Sequence, residues 1–359
     1  MNAAGLPCML IRGGTSKGAY FLAEDLPADE AARDDLLIRV MGSPDPSQID
    51  GLGGAYPLTS KVAVVSRSQR SDADVDYLFL QVAVGDASVS ARQNCGNLLA
   101  GVGPFAVERA LVKAGDRETS VRIHLVNTGA LAVARVPTPG GAVRYRGSTE
   151  ISGVLNPAAA IELDFTGTEG STCGALLPTG SARDIVAGLA VTCIDNGMPL
   201  VLVRAGDLGV TGYETPAELE ANQPLREQVE ALRLAAGPLM NLGDVQHTTI
   251  PKMTLIAPPI AGGALCTRTF IPHRCHASIG VLAAVSVATA AAIDGSVAAD
   301  LVPRPLPAPV RLEHPTGFLD AAVEMQPGNA AVARSGVVRT ARKLFDGITW
   351  PWEPERPNG

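Results

Sequence analysis

Gln93-Asn94-Cys95-Gly96-Asn97-Leu98-Leu99-Ala100-Gly101 joins two segments of different character. Upstream, Tyr77-Leu78-Phe79-Leu80-Gln81-Val82 alternates in part like a strand. Downstream, Leu98, Leu99, Ala100, Val102, Phe105, Ala106, Val107, Ala110 and Leu111 leave no polar stripe. A helix that is apolar all round has to be enclosed by other elements. Its first turn carries unpaired N–H groups and a partial positive charge, which favour a thiolate or an anionic ligand. Two readings follow for the junction. Asn94, Cys95, Gly96 and Asn97 form an active-site corner, or Asn94 caps the helix and Cys95 is a small buried residue.

A second junction of the same kind lies in the other half of the chain. Ile271-Pro272-His273-Arg274-Cys275-His276-Ala277-Ser278-Ile279-Gly280 is a short polar loop ahead of an apolar segment, 281–293. Each half therefore combines many strands with one apolar helix, entered through a loop that carries a cysteine. The expected fold class is α+β, with two pseudo-symmetric β-roll domains. Each is a curled, mostly antiparallel sheet around a central apolar helix, and both helix starts are free to face one cleft. The expected domains are 1–182 and 183–340, with 341–359 as a tail that can return to the first.

Between these landmarks, Leu6 to Ile11 reads as a strand running into Arg12-Gly13-Gly14-Thr15-Ser16-Lys17-Gly18. That loop offers glycines for close approach, two hydroxyls and two cations, a set suited to a carboxylate or phosphate, or to a plain solvated hairpin. It lacks P-loop order. A helix is expected over 27–41, stopped by Gly42. Thr59-Ser60-Lys61 then sets a lysine at the mouth of the strand 62–65. Neighbouring cations or low dielectric favour the neutral, basic form of such a lysine, whereas an edge lysine is simply solvated. Further strands are expected over 121–126, 131–136, 142–145 and 160–165. A hairpin is expected over 188–205, turning at Asp195-Asn196-Gly197-Met198-Pro199. Thr215-Pro216-Ala217-Glu218 has capping-box form, and Leu225, Val229, Leu232, Ala236 and Leu239 make a helical stripe. Strands are expected again over 255–258, 264–270, 310–314 and 332–340.

The 359 residues are 46% hydrophobic with a formal net charge of −7 and no basic cluster, which argues against nucleic acid or an anionic membrane surface as partner. No apolar run is long enough to cross a bilayer, and Met1 to Pro7 has no signal-peptide character, so a cytoplasmic location is expected. The six cysteines lack C-x-x-C spacing, which argues for reduced thiols and against a disulfide scaffold or a zinc site. Cys8, Cys173, Cys193 and Cys266 read as packing residues. No metal and no cofactor are expected, since neither a ligand set nor a dinucleotide fingerprint is visible.

Asn94-Cys95-Gly96-Asn97 and Cys275-His276-Ala277-Ser278 resemble the paired half-motifs of the diaminopimelate epimerase-like superfamily, and Asn196-Gly197-Met198-Pro199 is similar to its Gly-Asn-Pro turn. Within it, Pro7 to Gly18, Met41-Gly42-Ser43-Pro44-Asp45, Gln48-Ile49-Asp50-Gly51, Leu58 to Ala63, Cys173 to Gly180, Cys193 to Pro199, Met240 to Asp244 and Phe270 to Arg274 resemble the PrpF-type isomerases. These motifs extend over nearly the whole chain.

The resemblance implies a cofactor-free isomerase of a small polycarboxylate with its site between two β-roll domains. It implies Lys61 and Cys95 as the proton-handling pair. His276 stands where the superfamily has its second catalytic cysteine, with Cys275 just before it, a departure from the two-thiol racemases. Substrates with three carboxylates and a ketone beside an alkene need a base, an acid and fixed donors for developing negative charge. Arg12, Gly13, Gly14, Thr15, Ser16, Ser60, Asn94, Gly96, Asn97, Asn196, Arg274, His276 and Ser278 are the expected substrate contacts. The partner expected besides substrate is a second copy, as a homodimer. A methylaconitate-type isomerase, an amino-acid racemase and a non-catalytic tricarboxylate-binding protein are the alternative readings.

Overall fold

Period-two alternation and glycine stops shape most of this chain. The structure is a computed structural model that describes residues 5–91, 95–327 and 331–353. The chain forms two compact units, the first made of residues up to Leu163 together with those from Arg339 on, the second of Asp164–Val338.

In the first unit, β1 (Leu6–Gly13) and β2 (Ser16–Leu22) make a hairpin, followed by α1 (Glu30–Met41). Asp29 caps α1 by accepting from the Ala32 amide, and Gly42, at φ 81°, ends it in the left-handed conformation that glycine adopts without strain. Next come β3 (Lys61–Arg67), β4 (Val75–Val82), the short β5 (Val89–Ser90), α2 (Gly96–Glu108), β6 (Glu118–Leu125), β7 (Ala130–Pro137) and β8 (Ala160–Thr166), whose last three residues belong to the second unit. The second unit contains β9 (Asp184–Val186), β10 (Leu189–Asp195), β11 (Pro199–Arg204), α3 (Pro216–Ala221) and α4 (Gln223–Leu239). It continues with β12 (Lys252–Ala257), β13 (Leu265–Ile271), β14 (Arg274–Cys275), α5 (Val281–Ala292), β15 (Val310–His314) and β16 (Gly317–Met325). The long β17 (Val332–Thr349) pairs with β16 through its first half and with β1 through its second.

The two units repeat one order of pairings. In the first, β1–β2 is antiparallel, β2–β3 parallel, β3–β4 antiparallel, β4–β6 parallel and β6–β7 antiparallel. In the second, β10–β11, β11–β12, β12–β13, β13–β15 and β15–β16 follow the same sequence of directions. Each unit also sends its apolar helix, α2 or α5, between its fourth and fifth long strands. The fold is thus α+β on a mixed, mainly antiparallel sheet.

Alternation sorts the first unit's side chains onto two faces. Ile11, Tyr20 and Leu98 crowd the α2 side, where Cβ atoms added to Gly18 and Gly101 would strike Leu98 and Tyr20. Cys8, Ala19, Phe21, Val62, Val64, Leu80 and Val82 form the other face and pack with Leu37, Val40 and Met41 of α1. In α2, Leu98, Leu99, Ala100, Val102, Phe105 and Ala106 are all buried, which fits the absence of a polar stripe. In α5, every residue from Ala283 to Ala292 is buried.

The strand expected over 142–145 is not formed. Pro139–Gly141 make a single 3-10 turn with Gly140 and Gly141 both at positive φ, and the chain continues outside any ladder. Ala142, Val143 and Tyr145, interrupted by Arg144, are too few apolar residues to hold a strand once the turn has carried them away from a pairing edge.

Candidate active site

Cys95 is the N-cap of α2, with extended backbone (φ −123°, ψ 97°), and its side chain makes no capping bond. The first helical bond runs from the Leu99 amide to the Cys95 carbonyl, so the amides ahead of it point out of the helix start. The β1–β2 hairpin is pressed against this turn. A Cβ on Gly13 would lie 2.4 Å from the Asn97 carbonyl oxygen, and one on Gly14, at φ +50°, 2.3 Å from Asn97 Oδ1. Asn97 Nδ2 donates to Thr15 Oγ at 2.9 Å. Two phenols brace the same turn: Tyr20 donates to the Leu98 carbonyl at 2.5 Å and Tyr77 to the Cys95 carbonyl at 3.4 Å. Burial pushes both phenols well above their ordinary range, so they stay protonated donors. Asn94 lies outside the described residues.

Lys61 opens β3 in register with Gly18 of β2, whose missing Cβ makes room for Leu98. Its side chain therefore stands on the α2 face. Lys61 is 7% exposed; its Nζ donates to Gln81 Oε1 at 2.8 Å and lies 4.9 Å from the Phe79 ring centroid. Among the described residues no carboxylate pairs with it. Gln81 is itself held, since its Nε2 donates to the Ser60 and Pro57 carbonyls at 2.8 and 3.1 Å, which turns Oε1 toward the lysine. Ser60 is fully buried and its hydroxyl accepts from Gln48 Nε2 at 2.8 Å. Gln48 also reaches Ser43 and the Ala55 amide, so Ser60 belongs to the scaffold of the loop that delivers Lys61. A buried lysine whose described partners are only a neutral amide and a ring is placed to give a proton as the ammonium or to take one as the free amine.

Ser16 pairs with Gly13 across the hairpin and so shares the α2 face with Lys61. It is 2% exposed, and its Oγ finds no hydrogen-bond partner among the described residues. A buried hydroxyl without a partner beside a helix start marks a place where a ligand oxygen fits. Arg12 and Lys17 alternate with Gly13 and Gly18 and so project from the opposite face. Arg12 Nη1 donates to the Gly14 and Thr340 carbonyls and to Thr340 Oγ, at 2.9, 3.0 and 3.0 Å. The sheet thus separates Arg12 from Lys61.

In the second unit, Arg274 and Cys275 form β14 against β13, and α5 starts only at Val281, capped by Gly280. Cys275 and His276 therefore do not start the helix, as the parallel with Cys95 had suggested. Cys275 is buried in the apolar core, and burial pushes its thiol up to about 11. His276 is half-buried, and its Nδ1 accepts from the Ser278 amide at 2.9 Å, with Ser278 Oγ at 3.2 Å. Burial, then Lys252, lower its pKa, so the ring is neutral with its proton on Nε2, a hydrogen-bond donor. Arg274 is exposed. Asn196 is fully buried, and its amide is consumed by Thr168, Thr289 and Ser335, while its backbone N–H donates to Ser286. It pins α5 to the strand hairpin that precedes it.

Gln81, Phe79, Tyr20 and Tyr77 escaped the sequence reading. A signal for Gln81 exists: it is the one amide in the apolar run Tyr77 to Val82, directly opposite Lys61.

Comparison with known proteins adds three findings. The profile of a family described as PrpF protein matches residues 4–350. A protein of Novosphingobium sp. named (4E)-oxalomesaconate Delta-isomerase is 58% identical over 97% of this chain and 98% of that protein, and one of Pseudomonas putida named 4-oxalomesaconate tautomerase is 57% identical over 97% and 96%. A crystal structure of a methylitaconate-delta-isomerase superposes with a TM-score of 0.87 at 33% identity, covering 98% of this chain and 99% of that one.

Proposed function

The chain belongs to the PrpF family, and from that premise we propose that this isomerase moves a proton within 4-oxalomesaconate, without a cofactor, as a step in the breakdown of gallate- or protocatechuate-type aromatics. The two relatives that carry oxalomesaconate in their names, at 57–58% identity over nearly the whole length, support the substrate. The observation that carries the chemistry is Lys61, buried on the α2 face with no carboxylate paired to it among the described residues.

Lys61 removes the proton from the carbon acidified by the neighbouring ketone, and the electron pair spreads over a dienolate. The Lys61 ammonium so formed, or the Cys95 thiol, returns a proton at the other end of the conjugated system, so that one C–H bond breaks and one C–H or O–H bond forms; where the thiol gives it, the proton held by Lys61 passes to the thiolate through solvent and both groups are restored. No covalent intermediate is needed. The helix-start amides at Gly96 and Asn97, the backbone at Gly13 and Gly14, and the hydroxyls of Thr15 and Ser16 receive carboxylate oxygens. Within the second unit, the neutral His276 Nε2–H, Ser278 and Arg274 are its own candidate carboxylate donors. Ser60 acts through the loop that holds Lys61.

Each unit is read as a roll, with its sheet curled around α2 or α5. The support is that α2 touches β1, β2, β3, β4, β6 and β7, and α5 touches β10, β11, β15 and β16. No described helix is long and apolar enough to cross a membrane. The reaction is placed in the cytoplasm, where six free thiols stay reduced, and is assigned to a homodimer, which sedimentation would test.

The test is deuterium entry from heavy water, followed by NMR. 4-Oxalomesaconate should take up label with wild-type enzyme and not with Lys61→Met. Exchange into methylaconitate or methylitaconate in preference to 4-oxalomesaconate would move the assignment to those acids. A Lys61→Met enzyme that exchanges at the wild-type rate would remove the lysine from the reaction.

A further inference from the structure

Three cations stand in a row on the face of the first unit that points away from α2. Arg12 lies directly opposite Lys17 of β2 on one side and Arg342 of β17 on the other. Like charges directly opposite in a sheet repel. These three and Arg146 line a cavity of about 400 Å³ completed by Tyr145, Val154, Leu155 and their neighbours, and no carboxylate is among the lining residues. The two acids that act on Tyr145 of this cavity are spoken for: Glu108 pairs with Lys343 and Asp346 with Arg109. The side chains of Lys17, Arg146 and Arg342 make no hydrogen bond or ion pair with another described residue. Arg12 alone is anchored, with one guanidinium nitrogen spread over Gly14 and Thr340. Burial, and after it the neighbouring Arg342, pull the Arg12 guanidinium below its ordinary value.

In a chain whose net charge is −7, four convergent cations without a counter-charge are not a by-product of composition. We propose that this cavity is a second binding site, on the face opposite Lys61 and Cys95, for a small anion bearing two or three carboxylate or phosphate groups. Its volume falls in the range that holds small organic ligands, more than a single chloride requires. Two exposed arginines, Arg146 and Arg342, supply planar forks that match carboxylate and phosphate oxygens, and Lys17 adds a point charge. A carboxylate source and a phosphate source share this recognition and are separated by the probe.

Calorimetric titration of the full-length enzyme at low salt, with tricarballylate and with pyrophosphate, tests the site. At least one probe should bind the wild type in an event that weakens as salt is added. That event should weaken at least about tenfold in an Arg146→Ala/Arg342→Ala double variant, the loss of one charge-assisted hydrogen bond. Turnover at saturating substrate should stay within about twofold, because neither arginine touches the Lys61 face. The apo double variant should melt no lower than wild type, since relief of repulsion offsets any lost packing. Tighter binding of tricarballylate points to a carboxylate ligand and tighter binding of pyrophosphate to a phosphorylated one. Binding of both probes that is unchanged in the double variant, or no binding of either to wild type, overturns the proposal.

Discussion

Lys61 Nζ and Gln81 Oε1 meet at 2.8 Å, directly opposite one another in the β3–β4 register. The amide is fixed by two carbonyls behind it, so the lysine is aimed by the sheet and not by its own flexible stem. Replacing Lys61 by methionine keeps the stem and deletes the proton carrier. The expected loss in kcat is roughly a hundred- to ten-thousand-fold, the usual worth of a positioned acid–base group, with little change in melting temperature. Steady-state kinetics beside a thermal melt reads both.

Gln81→Glu changes the same contact in the opposite sense. A carboxylate at the place of Oε1 makes an ion pair that holds Lys61 away from substrate, so kcat/KM should fall about tenfold or more while the melting temperature does not drop. Steady-state kinetics and a thermal melt of the two proteins check both. An unchanged kcat/KM would mean that Lys61 is not used in the productive step.

Much of this arrangement could be read from the chain. The Gly42 stop, the capping box at Thr215, the hairpin around Asn196 and the strand Val310–His314 depend on neighbours in sequence, and all four are present. Cys95 at the mouth of a buried helix is equally local. The face on which Arg12 lies is not. It depends on a pairing with Arg342, 330 residues away, and on which side α2 packs, and a one-residue change in either reverses it. The same reason explains His276. Its loop looks like a helix start because the helix follows closely, yet β14 pairs with β13 first and leaves Gly280 to cap.

The buried thiols should be slow nucleophiles. Burial pushes Cys8, Cys173 and Cys193 each up to about 12 from an ordinary 9.0. At pH 8 this lowers their thiolate fraction by roughly a thousandfold relative to a free thiol. Iodoacetamide labelling of the native enzyme, mapped by mass spectrometry, should leave these three unmodified on the timescale that labels a small thiol. Rapid labelling of any of them would show that the core opens readily.

His276 should titrate below its ordinary value of 6.5, because burial and the nearby Lys252 both disfavour the imidazolium. The unfolded chain then takes up this proton first as pH falls. The stabilising contribution is complete above about 6.5 and is lost between that pH and the lower folded value. Lys252→Met removes one of the two causes and should raise the His276 pKa. NMR titration of the ring proton follows it directly, and a pKa unmoved by the substitution would leave burial as the sole cause.

Gly13→Ala tests how tightly the hairpin is seated on the helix start. A Cβ there would sit 2.4 Å from the Asn97 carbonyl oxygen and 3.1 Å from Leu98 Cα, both backbone atoms that cannot rotate away. Either the hairpin lifts or the first turn of α2 shifts, at a cost of about 1–3 kcal/mol for overpacking a closed contact. The movement falls on the turn that carries Cys95 and on the strand that carries Ser16, so kcat should drop along with stability. Gly206→Ala is the matched control: its added Cβ meets nothing within 4 Å, and the change should stay within about 0.5 kcal/mol of wild type. Equal stability and turnover in the two variants would mean that the hairpin is free to yield at the helix start, and that close seating of β1 on α2 is not what positions the site.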